Sequence, residues 1–231
     1  MKMKRVVQQG LAAVAFGLLL GAAHAQVYVG AEGGLTFFKD TSKDEADNYI
    51  YNFGADSAKV TLQTVGVPVR PFVGAQLTDN IGLELGYQIL SQIETVKGSI
   101  SGDDYKDTYD SSWRTIDYTA LLRLSDASSR LNGLFLRVGG HSTTGDLKFK
   151  GAGSAYASGG AWAGSTTSQS VSESKSGVVL GIGYDLWLGS SKSNVLRFSY
   201  TLYGNMPYVY DDNGKDGASL SVLKFGYLYK F

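Results

Sequence analysis

The ionisable side chains that could carry chemistry recur at alternating positions of segments that read as β-strands. They are five cations, four acids and one histidine: Glu32, Arg70, Glu84, Asp117, Arg123, Arg137, His141, Asp185, Arg197 and Lys224. Opposite charges on one face of an antiparallel sheet pair across neighbouring strands. Counting from a turn near position 191 places Asp185 opposite Arg197. A turn near position 129 likewise places Asp117 opposite His141. These residues therefore predict a network of cross-strand charges on one face of a sheet.

A histidine next to a serine could also indicate nucleophilic catalysis. His141 is followed by Ser142, and a serine hydroxyl attacks an ester when an imidazole accepts its proton. Eight-stranded enzymes that modify lipid A use such a histidine with a serine and an acid. Adjacent residues of a strand point to opposite faces, however, so these two side chains cannot reach each other. The pattern favours a structural histidine in a non-enzymatic protein, with a lipid A-modifying enzyme as the weaker alternative.

The composition argues against several other functional classes. The chain has no cysteine, so it has neither a disulfide nor a zinc–thiolate site. Its 21 basic and 21 acidic residues cancel, which argues against nucleic acid as a partner because polyanion binding needs a basic excess. The acidic segments 103–104 and 211–214 lack the roughly twelve-residue spacing of a calcium loop. We therefore expect no cofactor and no metal.

The first 25 residues have the pattern of a secretory signal peptide. A basic start with Lys2, Lys4 and Arg5 precedes an apolar stretch over 11–23, and Ala23-His24-Ala25 supplies small residues for cleavage. The apolar stretch is shorter than the roughly 20 residues that a helix needs to cross a bilayer. The sequence predicts a cleaved signal peptide over 1–25 and one mature domain over 26–231.

The mature chain contains eight segments with the period-two alternation of β-strands. They lie at 26–38, 64–77, 80–93, 113–124, 133–149, 175–188, 194–206 and 218–231. One face of these segments is apolar and aromatic, and the other is rich in glycine with isolated charges. A narrow barrel that spans a membrane has this distribution, with lipid outside and a filled lumen inside. A soluble sandwich, the alternative, would bury the apolar face.

The connections between these segments alternate between short and long. Short turns lie at 77–80, 125–132 and 189–194, and long connections span 39–63, 95–112, 150–174 and 207–217. Outer-membrane barrels combine short periplasmic turns with long extracellular loops. The sequence therefore predicts an all-β, eight-stranded antiparallel up-and-down transmembrane barrel with four long extracellular loops, whose closure brings Glu32 near Lys224. Pro68 and Pro71, which lack a backbone N–H, predict a bulge or a late start in the second strand.

Several strands resemble those of the OmpA-like outer-membrane barrel family. The similarity lies in 82–87 (GLELGY), 136–140 (LRVGG), 28–35 (YVGAEGGL) and 223–231 (LKFGYLYKF). It implies an eight-stranded barrel whose last strand carries the signal read by the outer-membrane assembly machinery, here Phe225, Tyr227, Tyr229 and Phe231. Because the sequence stops at Phe231, we expect the barrel domain alone, without the periplasmic peptidoglycan-binding domain of many relatives.

The resemblance further implies a salt-bridged gate in the lumen. Glu84 falls on the glutamate of the family's lumenal cluster, but Leu121 stands where the family has a lysine. This departure leaves Arg123 or Arg137 as the partner of Glu84. A bore of eight strands is only about wide enough for side chains, so charges that pair and fill it are favoured over a conducting path.

Together these features predict a non-enzymatic integral protein of the Gram-negative outer membrane. It would be a monomer in contact with outer-membrane lipid and lipopolysaccharide, with a structural or surface-interaction (adhesin-like) role carried by its loops. The segment 151–174, with Tyr156 and Trp162 among small polar residues, is the candidate surface for an unidentified host or environmental ligand. A narrow diffusion pore through the mixed-charge lumen is the main alternative.

Overall fold

The computed structural model describes residues 25–37, 57–62, 65–100, 103–124, 132–152, 168–189, 193–209 and 217–231. Residues 1–24 of the predicted signal peptide lie outside these ranges, as do Tyr156 and Trp162. Every regular element in the described ranges is a β-strand. In the same ranges there is no helix of the length and apolar character needed to cross a membrane.

Ten strands form one antiparallel sheet in the described part of the chain. They are β1 (Gln26–Phe37), β2 (Ser57–Leu62), β3 (Val65–Gly66), β4 (Val69–Gln76), β5 (Ile81–Ile100), β6 (Asp103–Arg123), β7 (Leu134–Ala152), β8 (Ser168–Leu188), β9 (Asn194–Tyr203) and β10 (Leu220–Lys230). From β4 onward each strand pairs with the next, β4 pairs with β1, and β10 also pairs with β1, which closes the sheet. The segments β2, β3 and β4 all lie between β1 and β5 and together occupy one strand position of the barrel. The closed barrel is therefore eight-stranded, as predicted.

The strand position between β1 and β5 is interrupted near the prolines Pro68 and Pro71. β3 ends at Gly66 and β4 begins at Val69, so Pro68 falls in the break. Pro71 lies inside β4, and the register between β4 and β5 passes directly from Val69–Ile89 to Phe72–Gly86. The register is unchanged on both sides of this gap. The second strand therefore starts late and keeps its alignment despite the missing N–H donor.

The hairpin of β5 and β6 reaches further than the alternation of apolar residues suggests. The predicted loop over 95–112 is continuous strand up to Ile100 and again from Asp103. β7 and β8 likewise extend to Ala152 and from Ser168, into the predicted connection over 150–174. We predicted loops here because these stretches are polar, and that prediction assumes that every strand of the barrel has one apolar face. Where both faces meet water, a polar strand pairs equally well.

The two faces of the barrel have the reverse of the polarity found in a water-soluble fold. Large apolar side chains on the outer face are exposed, with Leu122 at 46%, Phe198 at 49% and Phe225 at 51%. On the inner face, by contrast, Arg70 and Arg197 are completely buried. We call the exposed apolar side chains of the outer face the apolar band. Apolar side chains thus lie on the outer face, and the arginines lie on the inner face.

Candidate functional site: a closed lumen

The lumen is filled by three layers of side chains. The lower layer, at the end of the short turns, contains Tyr28, Phe72, Val195 and Leu228, with Trp187 packed against it. The charged layer in the middle contains Glu32, Arg70, Glu84, Asp117, Arg123, Arg137, Asp185 and Arg197. The upper layer, at the end of the long connections, contains Leu90, Trp113, Val179, Tyr203, Met206, Leu220 and Val222. Charged groups are thus sealed between two apolar layers.

Arg70 on β4 gathers three acids at the centre of the charged layer. Its guanidinium donates to Glu32 at 2.9 Å. It also donates to both oxygens of Asp117, from Nε at 2.8 Å and from Nη2 at 2.6 Å. The same Nη2 lies 3.5 Å from an oxygen of Glu84. None of these four side chains is more than 1% exposed. The two-pronged contact with Asp117 fixes the plane of the guanidinium as well as its charge.

The ion pairs continue around the lumen to the opposite wall. Arg137 on β7 lies 3.1 Å from Glu32 and 3.1 Å from Glu84. Arg197 on β9 pairs with Glu84. Arg197 also donates from Nε to Asp185 at 2.6 Å, directly across the β8–β9 ladder. The charged layer is therefore one connected network of acids and arginines.

The partners of Glu84 differ in part from the two that the sequence leaves open. Arg137 is one of its partners, whereas Arg123 instead donates to Asp185 at 2.5 Å. Leu121, where the resemblance led us to expect a lysine, is fully buried on the inner face. Arg137 on β7, Arg70 and Arg197 all lie within ion-pair distance of Glu84, so its charge is balanced without a lysine at position 121.

Two of the arginines lie over aromatic rings. The ring of Phe72 lies 5.0 Å from the guanidinium of Arg70 and 5.3 Å from that of Arg197. The ring of Phe135 lies 4.8 Å from the guanidinium of Arg197. Such contacts stabilise desolvated cations. Gly86 leaves the space that Arg70 needs, because a Cβ at this position would overlap the guanidinium.

Lys224 lies beside the network of ion pairs. Its Nζ donates to the hydroxyl of Tyr203 at 2.6 Å, and that hydroxyl donates to Asp117 at 3.4 Å. Closure of the barrel pairs Lys224 with Gly34, so Glu32 is its diagonal neighbour on β1. Tyr203 therefore belongs to the site. The predicted charge network does not include it, because only acidic and basic side chains were considered for that network.

His141 faces Asp117 across the β6–β7 ladder but does not bind it. Its Nδ1 contacts the hydroxyl of Thr143 at 2.8 Å. Its Nε2 lies 2.6 Å from the carbonyl oxygen of Gly204. Both ring nitrogens are therefore engaged in structural contacts. In the described part of the chain, no three metal-ligating side chains converge on one point.

The segment 204–209 after β9, which we call the inserted segment, folds into the upper end of the lumen. Its Met206 is fully buried in the upper layer. The indole nitrogen of Trp113 donates to the carbonyl oxygen of Pro207 at 2.6 Å, and the amide of Gly204 donates to Val178 at 2.9 Å. The barrel wall thus holds the segment by backbone as well as side-chain contacts.

The inserted segment is the part of the site that the sequence does not reveal. The alternation predicts a strand to position 206 and an acidic loop over 207–217, with no reason for the chain to turn inward. The available signal was a set of large apolar residues at inner-face positions near the strand ends, such as Leu90, Trp113 and Val222. Apolar residues facing a lumen filled with charges require an apolar partner.

The aromatic residues of β10 lie on the outer face. Phe225, Tyr227 and Tyr229 are 51%, 46% and 42% exposed, and Phe231 beyond the strand is 71% exposed. Tyr229 and Phe231 meet edge to face with centroids 5.2 Å apart. They form a continuous aromatic strip beside the seam of the barrel. Their role as an assembly signal stays a prediction.

Polar residues replace the apolar band on the outer face towards the long connections. Arg114 on β6 donates to Asp146 on β7 at 2.5 Å, with side chains 54% and 27% exposed. The hydroxyl of Ser172 and the guanidinium of Arg114 hold the pKa of Asp146 below its usual value. The contact is shared with water, so it contributes little to stability.

No protein-family model and no curated protein matches the chain. Among solved structures, Ail, the attachment invasion locus protein of Yersinia pestis, is similar at 12% identity and a TM-score of 0.48, over 89% of this chain and 99% of Ail. The N-terminal β-barrel domain of Pseudomonas aeruginosa OprF matches at 10% identity and 0.42, over 90% of this chain and 100% of the domain. The outer membrane protein OprG from Pseudomonas aeruginosa matches at 11% identity and 0.39, over 90% and 95%.

These solved structures are eight-stranded outer-membrane barrels. At such low identities and scores they bring neither ligand nor activity to this chain. The eight-stranded barrel is established by the strand pairing of the chain itself.

Proposed function

We propose that this protein is an integral outer-membrane barrel with a closed lumen, a non-enzymatic scaffold that presents its long connections at the cell surface. One observation carries the proposal: the closed barrel has its charges buried inside and its apolar side chains exposed outside. In water, such a surface is unfavourable by about 25 cal/mol for each Å² of apolar area. In a bilayer it is the expected surface, and barrel closure satisfies the backbone hydrogen bonds that lipid cannot.

The three layers of the lumen favour a scaffold over a diffusion pore. An ion entering from the long-loop end would first meet Trp113 and Met206, each at most 1% exposed. Beyond them, the acids and arginines of the charged layer are bound to one another. The lower layer closes the opposite end with Tyr28 and Phe72. A conducting state would require movement of the inserted segment and separation of buried ion pairs.

The surroundings of His141 argue against a lipid A-modifying enzyme. Its Nε2 donates to the carbonyl oxygen of Gly204, and its Nδ1 contacts the hydroxyl of Thr143. Both His141 and Thr143 are fully buried inside the barrel, where a lipid substrate does not reach them. Ser142 belongs to the outer face of β7, because the alternation places it opposite the buried His141. The two side chains are thus separated by the barrel wall.

The polarity of the barrel ends supports an orientation in the membrane. Short turns at the lower end suit the periplasm, and the long connections at the upper end suit the cell exterior. In this orientation the apolar band contacts outer-membrane lipid and the aromatic strip of β10 is available to the assembly machinery. In this orientation the long connections face the cell exterior, and we propose that they interact with a surface ligand that is not identified.

Washing of membranes with alkaline carbonate tests membrane integration. We expect the protein to stay in the pellet and to show the heat-dependent gel mobility of a folded barrel. The variant Ile182→Arg places a charge in the apolar band, where Ile182 is 46% exposed, and should lose about 2–4 kcal/mol of stability in the membrane. Ser176→Arg on the same strand, beyond the band, serves as the matched control. Release of the unmodified protein, or equal effects of both variants, would contradict integration.

A further inference from the structure

His141 connects the inserted segment to the barrel wall. Its Nε2 lies 2.6 Å from the carbonyl oxygen of Gly204, the first residue of that segment. A carbonyl oxygen can only accept a hydrogen bond, so Nε2 carries the hydrogen. In the neutral ring Nδ1 is then the acceptor, and the hydroxyl of Thr143 donates to it at 2.8 Å. The neutral imidazole therefore satisfies both of its nitrogens in this position.

The ring of His141 is enclosed where β9 leads into the inserted segment. It meets the ring of Tyr203, the last residue of β9, edge to face with centroids 5.6 Å apart. Gly177 on β8 lies directly opposite His141, and a Cβ at this position would overlap both the imidazole and the carbonyl group of Gly204. Because His141 is fully buried, the surrounding protein shields its ring from bulk water.

The charged groups around the ring do not favour a proton on it. Asp117 stands opposite His141 on β6, but both of its oxygens already accept from Arg70. Lys175 stands opposite Thr143, the next inward-facing residue of β7. The described titratable or charged residues that face the ring from the elements packed around it are Asp117 of β6, Arg137 of β7, Glu173 and Lys175 of β8, Tyr203 of β9, and Lys224 of β10, which reaches the ring of Tyr203.

A proton on His141 would place a charge at the edge of the apolar upper layer. Val179 and Met206 belong to this layer, and burial of a charge without a free partner is strongly unfavourable. Release of the inserted segment would expose the ring to water, where a histidine takes up its proton between about pH 5 and 8. The inserted state excludes the proton and the released state binds it, so a fall in pH favours release.

We infer that His141 is an acid-sensitive latch: its neutral imidazole holds the inserted segment in the upper end of the lumen, and its protonation releases the segment. This inference rests on the closed lumen proposed above. Release uncovers Trp113 and the other residues of the upper layer, whereas the charged layer and the lower layer stay in place. The latch therefore controls access to the upper end of the lumen without forming a pore.

Hydrogen exchange and nuclear magnetic resonance of the folded mature protein in detergent test the latch. Residues 26–231 contain one histidine, so the ring signals report protonation of His141 alone. Exchange of the Gly204 amide, which donates to Val178, reports release of the segment after correction for the direct effect of pH on exchange. Amides of the β8–β9 ladder serve as the check that the barrel stays folded. Gly204 exchange should rise about tenfold or more between about pH 7.5 and about pH 5.

Two variants separate His141 from other titrating groups. His141→Gln keeps a hydrogen-bonding side chain that does not titrate in this range, so Gly204 exchange should lose its pH dependence. The matched control Glu173→Gln removes an acid from the inner face of the neighbouring strand and should retain the rise of about tenfold. A rise of equal size in His141→Gln, or no rise in the unmodified protein, would overturn the inference.

The unmodified protein decides the question even if His141→Gln does not fold. Protonation of the ring and loss of Gly204 protection should have the same midpoint in pH, because the inserted state excludes the proton. A ring that takes up its proton while Gly204 stays protected would overturn the latch.

Failure of the latch is distinguishable from failure of the closed lumen. Rapid exchange of Gly204 already at neutral pH, in a folded barrel, would contradict the closed upper end itself. Strong protection of Gly204 at both pH values would contradict only the latch.

Discussion

Replacement of Arg70 by methionine is expected to lower the free energy of unfolding by about 3–5 kcal/mol, the usual cost of removing one partner from a buried ion pair. Arg70 is fully buried and contacts Glu32, Asp117 and Glu84 within 3.5 Å. Methionine fills much of the same volume but leaves Asp117 without its two-pronged partner. The result is an uncompensated charge between two apolar layers. Urea titration of the protein refolded in lipid vesicles, followed by tryptophan fluorescence, measures the loss.

The same substitution at Arg114 provides the control. Arg114 also binds an acid at 2.5 Å, but its side chain is 54% exposed, so Arg114→Met should cost only about 0–1 kcal/mol. The two variants remove the same charge from the same protein and differ in burial. Similar losses for both would mean that the charged layer is solvated and would contradict the sealed lumen.

Replacement of Trp113 by alanine is expected to cost about 3–5 kcal/mol, as for other large buried side chains, and to release the inserted segment. Trp113 is 1% exposed and holds Pro207 through its indole N–H at 2.6 Å. Loss of the ring removes the packing partner of Met206 and opens the upper end of the lumen. Urea titration measures stability, and hydrogen exchange of the Gly204 amide, which donates to Val178, measures attachment of the segment.

A phenylalanine at position 113 separates packing from hydrogen bonding. Trp113→Phe keeps most of the apolar volume and should cost about 1 kcal/mol, close to one lost hydrogen bond. Exchange at Gly204 should rise strongly in the alanine variant and modestly in the phenylalanine variant. Unchanged exchange in Trp113→Ala would show that the inserted segment does not depend on the upper layer.

The architecture of the barrel is accessible from the sequence because local rules determine it. Period-two alternation assigns each residue to a face, and a short turn fixes the register of the strands that it joins. For this reason the opposition of Asp185 and Arg197 across the turn of β8 and β9 can be counted directly, and the structure has that register.

Contacts across the lumen depend on the whole barrel and are not accessible in this way. Arg197 reaches Glu84, which is 113 positions away in sequence and on a strand that is not its neighbour. Which acid it reaches depends on strand tilt, on the stagger of the closed sheet and on the length of the side chain. The sequence could therefore supply the members of the charged layer and the pair of Asp185 and Arg197 on neighbouring strands, but not the pairs that cross the lumen. The inserted segment was hidden for a related reason, because its burial follows from space left at the upper end of the lumen.

The polar extensions of β5 to β8 show a different limit. Alternation of apolar and polar residues is a signal only where the two faces meet different surroundings. Above the apolar band the outer face is polar as well. Residues such as Thr95 and Thr108 therefore continue the strand pairing without the apolar–polar alternation that would predict it.

The conductance of the purified mature protein in a planar lipid bilayer tests the closed lumen most directly. Gel mobility of protein recovered from the same lipid verifies that the barrel has folded and inserted, and a protein-free bilayer supplies the baseline. The sealed layers predict insertion without reproducible current steps. Stable current steps from the unmodified protein, altered in size by Glu84→Gln or Arg137→Gln, would contradict the closed lumen and establish a pore.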